Sequence, residues 1–283
     1  MGIMYKKILA AVNEHVNAEV AARYAMHLAK ATGARIYLCY VAEKGIPDEA
    51  FRHAEESVKR LFHRAREMEV DAESVVATGS PAAEIKKLVL SEGIDLVFTA
   101  TRHEDVNKRF YEGTTARRLS LSLPCSVALV RVVHLGRIHP GKLLVPLKAR
   151  MCHISEWSYF TAMLARSFGS SVHLLHLTRP ASTFFHGELH MSTSEWEKKI
   201  PHDISGFIHR LDHYGITHEK KLHPGRTGRN IMIEAAVKRH DLIIMGASER
   251  GLLRSLIRGN PVEEVLKETP CNLIILKLRH EDT

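Results

Sequence analysis

The sequence predicts a doubly wound α/β protein made of two tandem modules, each a five-stranded parallel sheet covered on both faces by helices. Three observations predict it. Short apolar runs alternate with amphipathic or charged stretches of roughly 10 to 20 residues, which implies right-handed crossovers and a parallel sheet. The order of these signals runs through once and then repeats. The chain has 283 residues, enough for two modules of about 140 that each bury a core.

In the first half, strands are expected over Lys7–Val12, Arg35–Val41, Glu73–Thr78, Asp95–Thr101 and Ser126–Arg131. Between them, Ala18–Ala31 has apolar spacings of three and four and stops at Gly33, a C-cap signal. Asp48–Glu69 reads as a charged surface helix. Ser80-Pro81 opens a third helix with an N-cap residue and a proline at the first helical position.

The second half repeats the order, with strands near Lys142–Pro146, Val172–Thr178, His218–His223, Asp241–Gly246 and Asn272–Leu276. A shift of 146 residues lays Gly79 on Gly225, Asp95 on Asp241, Gly113 on Gly259 and Pro124-Cys125 on Pro270-Cys271. Earlier in each half the shift is 135, so the second copy carries 11 extra residues in the region of Arg179 to Lys199. Glycine, proline and lost periodicity mark a linker over Val132–Gly141, which gives modules at about 1–137 and 138–283.

Composition narrows the function. No run approaches the ~18 apolar residues of a membrane span, and Met1–Lys7 lacks the apolar core of a signal peptide, so a cytoplasmic protein is expected. The net charge of +8 suits anionic ligands, but the basic residues are spread evenly, without a dense tract or interleaved aromatics, so nucleic-acid binding is not expected. The four cysteines, at 39, 125, 152 and 271, form no CxxC pair and read as buried thiols.

The loop after each fourth strand carries the most specific signal. The second half reads MGASERGLLRSLIRGNPVEEVLKETPCNLIIL and the first TATRHEDVNKRFYEGTTARRLSLSLPCSVALV. Both resemble the universal stress protein family, in which a Gly-x2-Gly-x9-Gly-Ser/Thr pattern is followed by a short helix, Pro-Cys and a last strand. The resemblance covers both halves nearly end to end and implies a Rossmann-like fold.

In nucleotide-binding members of that family this loop holds the phosphates of ATP, and an Asp after the first strand contacts the adenine. Glycines there let backbone N–H groups approach an anion, and the following helix N-terminus adds a favourable dipole. Carried onto this sequence, the resemblance implies Gly246, Ser248, Gly251, Gly259 and Asn260 in the second half, and Asn13, Gly113 and Thr114 in the first, as positions for ATP or AMP. The remaining pattern positions hold Ala100, His103 and Glu249, and Lys148 takes the place of the first-strand Asp. A second reading needs no ligand: Asn260-Pro261-Val262-Glu263 and Thr114 are also helix-start signals.

There is no GxxxxGK[ST], no GxGxxG after a first strand and no GxSxG, so no catalytic centre is visible. Histidine is abundant, 19 in all and most in the second half. His186 with His190 and His209 with His213 are each four apart, which on a helix suits either a two-ligand chelate or a solvated face; no metal site is assigned.

The function expected is a stress-response protein that acts by binding; the resemblance implies that its halves pack as an internal pseudo-dimer through their last strands, as the family's dimers do, with a homodimer also open. Two alternatives stay open: an ATP- or AMP-binding protein with slow hydrolysis in one half, and a regulatory domain associated with a membrane transporter.

Overall fold

The computed structural model describes residues 4–101, 114–136, 138–178, 200–224, 227–247 and 261–279. The first half runs β1 (Lys7–Val12), α1 (Val16–Thr32), β2 (Arg35–Ala42), α2 (Asp48–Glu67), β3 (Ala72–Thr78), α3 (Pro81–Glu92), β4 (Leu96–Thr101), α4 (Thr115–Ser122) and β5 (Ser126–Arg131). The second runs β6 (Lys142–Leu147), α5 (Ile154–Phe168), β7 (Ser171–Thr178), α6 (His202–His213), β8 (His218–Pro224), α7 (Thr227–Val237), β9 (Leu242–Ala247), α8 (Pro261–Glu268) and β10 (Asn272–Lys277).

The strands form one sheet in the order β3-β2-β1-β4-β5-β10-β9-β6-β7-β8. Pairing within each half is parallel throughout, as the alternation of elements predicts. The halves do not form separate sheets. Their last strands pair antiparallel, Leu273 opposite Arg131 and Lys277 opposite Val127. This joint explains why β5 and β10 are apolar almost throughout: both are buried at every position, whereas the edge strand β3 has only half-buried and exposed residues.

Burial at Ala54, Ser57, Val58, Leu61 and Ala65 follows the helical period of α2, with its charged residues outside. Helices α1, α3 and α5 end on glycines with positive φ, Gly33, Gly93 and Gly169, each donating its N–H back into the last turn. Two expectations need correction. Ser80 stands at the start of α3 but makes no side-chain cap bond, leaving Pro81 as that helix's local start signal. Cys152 is exposed, because it falls in the β6–α5 loop outside any buried strand, while Cys39, Cys125 and Cys271 are buried. Burial pushes the thiols of Cys39 and Cys125 up to about 12, which leaves both protonated and inert at neutral pH.

The two faces of the sheet differ. On the α1/α5 face one apolar cluster runs through both halves, from Tyr24 and Phe98 to Phe160 and Phe207, with Phe98 and Phe160 stacked at 6.1 Å. On the other face the core is split into two clusters, one under α3 and one under α7 and α8.

Polar contacts pin the seam. Asn272, fully buried, accepts the amides of Val133 and His134 through Oδ1 and donates from Nδ2 to Tyr24 Oη at 3.0 Å. At the matching position, Ser126 and Tyr5 both donate to Glu156 of α5. The ammonium of Lys277 donates to the carbonyls of Leu123 and Cys125. Buried polar groups satisfied across the seam favour this one pairing of the halves.

Candidate functional site

In each half the strand order reverses between the first and fourth strands, and the crevice beyond their carboxyl ends is where doubly wound sheets take ligands. In the first half this mouth lies beyond β1 and β4. In the second it lies beyond β6 and β9.

The first mouth is built by short polar side chains. Asn13 leaves β1 half-buried, and its Oδ1 accepts the His15 amide at 3.0 Å, a turn that feeds α1. The Nδ2 hydrogens of Asn13 stay outside that turn, so the side chain retains donors for a ring nitrogen. Asn17 donates to the Thr101 carbonyl at 3.3 Å, tying the start of α1 to the end of β4. Thr114 caps α4 by accepting the Arg117 amide at 3.3 Å. The helix-start reading of Thr114 therefore has a geometric basis. Gly113, next to it, lies outside the described residues.

The second mouth is built differently. Gly246 sits in β9, and a Cβ added there would lie 3.1 Å from Cδ2, Cε2 and Cε3 of the Trp157 indole. The absence of a side chain at 246 therefore makes room for a tryptophan. Trp157 is only 4 % exposed. Phe207 of α6 packs edge-to-face against it at 5.3 Å.

Around that indole the loop is fastened as well. The Met151 amide donates to Asp203 at 2.8 Å, holding the β6–α5 loop against the start of α6, and His153 enters α5 with a left-handed φ of 54°. Lys148, just beyond β6, has an exposed surface, yet enough protein crowds it that lost hydration lowers its pKa. Ser248, Gly251, Gly259 and Asn260 lie outside the described residues.

Of the eight positions implied by the resemblance, the structure thus places Asn13 and Thr114 at the first mouth and Gly246 in the second. Sequence reasoning missed Trp157, Asn17 and Asp203. The repeat held a signal for the first of these: the 135 shift lays Trp157 on Ala22, and the 146 shift lays Gly246 on Ala100.

A tandem doubly wound protein, with a ligand mouth at the reversal point of each half, is the class these features define. A family model described as the universal stress protein family matches residues 4–131 and 159–277. The chain belongs to that family, with two copies of its domain in tandem.

Relatives agree with this. A universal stress protein of Methanocaldococcus jannaschii is 26 % identical over 141 residues, covering 45 % of this chain and 83 % of that one. The crystal structure of a universal stress protein from Archaeoglobus fulgidus covers all of both chains with a TM-score of 0.69 at 15 % identity. A Pseudomonas aeruginosa protein of unknown function covers 98 % of this chain and 94 % of its own, with a TM-score of 0.66 at 16 % identity. At such identities the two structures establish the shared fold.

Proposed function

We propose that this universal stress protein is a cytoplasmic binding protein that acts without turnover, and that its first half alone takes an adenine nucleotide, AMP or ATP. The base would meet the Asn13 amide beyond β1, and the phosphates would meet the segment of Gly113 and Thr114 at the start of α4. The observation that carries this reading is the contrast between the mouths: Trp157 lies against Gly246 in the second, where the first has Ala22 and Ala100. Lys148 at the second mouth also offers only donors, whereas Asn13 Oδ1 keeps a second lone pair, beside its bond to the His15 amide, that can accept from the adenine amino group.

Isothermal titration of the whole chain with ATP and with AMP tests the proposal. One site per chain is expected, weakened about tenfold in Asn13→Ala, with no phosphate released over hours. Binding at two sites, or no heat at millimolar nucleotide, would overturn it.

A further inference from the structure

We propose that the outer face of α6 carries a divalent transition-metal site, with the imidazoles of His209 and His213 as its protein ligands. Both residues are exposed, and with His202, Ser205, Gly206, Arg210 and Tyr214 they line a groove of about 510 Å³. Residues four apart on a helix project from one face with Cβ atoms about 5–6 Å apart, a spacing two imidazoles can close around one ion.

The backbone that sets this spacing is already fixed. The inner face of α6 buries Ile204, Phe207, Ile208 and Leu211. Asp203 accepts the Met151 amide near the start of the helix, and Arg166 donates to the Tyr214 carbonyl at its end. Little chain entropy remains to be lost when an ion arrives.

Neutral imidazole nitrogens select the Zn²⁺, Ni²⁺ and Cu²⁺ class over Mg²⁺ and Ca²⁺, which prefer oxygen. Among the described residues no third His, Cys, Asp or Glu converges with such a pair. Two protein ligands leave the other coordination positions to water, so the ion is exchangeable and open to a further ligand from the groove. Phe207, on the opposite face of the same helix, rests on Trp157. An ion that stiffens α6 would therefore also stiffen the support of the second mouth.

The test is titration of the full chain with Ni²⁺ and Zn²⁺ at pH 7.5, with Mg²⁺ as control, beside the double variant His209→Ala/His213→Ala. The wild type is expected to bind one more equivalent of Ni²⁺ than the variant, and Mg²⁺ is expected to distinguish the two proteins not at all. Both side chains are exposed, so the variant should keep the wild-type circular dichroism. Selective broadening of the His209 and His213 ring signals by substoichiometric Cu²⁺ in the wild-type protein gives a readout that needs no variant. Equal Ni²⁺ stoichiometry and affinity in the two proteins, or broadening spread over other histidines with these two untouched, would overturn the site.

Discussion

The mouths of the two halves sit on equivalent strands and are filled in opposite ways. In the first, the matching positions hold Ala22 on α1 and Ala100 on β4, both packed in the same apolar cluster. In the second, the strand gives up its side chain at Gly246 and the helix takes the whole volume with Trp157. A duplicated scaffold can thus keep its backbone and its packing density while moving bulk from one layer to the other. The exchange leaves the strand pairing equivalent, Ile8 opposite Leu96 in one half and Leu143 opposite Leu242 in the other.

The seam shows the same economy. Asn272 and Ser126 occupy matching places at the start of the two central strands, yet one reaches a tyrosine phenol and the other a carboxylate. What the two sides share is that each buried polar group has a partner from the opposite half.

Experiments that remove one side of the exchange should show how far the halves have diverged. Trp157→Ala deletes the largest volume and should cost about 3–5 kcal/mol in urea unfolding, since its neighbours in β9 and α6 cannot fully collapse into the space. A loss under about 1 kcal/mol would mean that the indole is not the packing element of the second mouth. Gly246→Ala should cost about 1–3 kcal/mol by forcing a Cβ against the indole. Its counterpart Ala100→Gly should cost only about 0.5–1 kcal/mol, from backbone entropy.

The contact between halves has its own pH signature. His27 on α1 packs against His139 and Phe168, with ring centroids 5.2 Å and 4.3 Å away. Burial first, then His139 and the nearby Arg64, Lys30 and Arg23, lower its pKa to about 4. The unfolded chain takes up this proton near pH 6.5, before the folded one does, so stability is full above pH 6.5 and falls as pH drops towards about 4. The part-exposed ring should contribute about 1–2 kcal/mol to that loss after solvent screening. Urea melts at pH 7 and pH 4.5 should differ less in His27→Phe than in the wild type by that amount; equal differences would sink the assignment. At the first mouth a further small effect is expected, where Thr114→Ala should cost about 1 kcal/mol in urea unfolding by removing the α4 cap.

Much of the fold was legible because alternation and period leave few choices. Strand ends fell within a residue or two, since apolar runs such as Leu143–Leu147 stop where burial stops. Packing through the last strands came from the family resemblance, whereas their fusion into one ten-stranded sheet was not read from the sequence. That β5 and β10 run antiparallel follows from a twofold-like arrangement that no periodicity encodes. The site was less legible. Trp157 lies in the apolar stripe of α5 and reads as ordinary core until the strand beneath it is known. Gly246 reads as a phosphate-loop glycine for the same reason that it accommodates an indole: both need a missing Cβ. Cys152 lies in a loop with no period to place it.

The central position of β10 also bears on synthesis. β5 is made first, and its partner follows roughly 140 residues later. At about 5–20 residues per second the ribosome takes on the order of ten seconds to supply it. Through that interval Val127, Leu129 and their neighbours form an apolar strand edge with open backbone groups, the kind that recruits foreign strands. The nascent first half should therefore engage chaperones until the last strand emerges, and a ribosome stalled just before residue 272 should hold an aggregation-prone chain although its first five strands are complete.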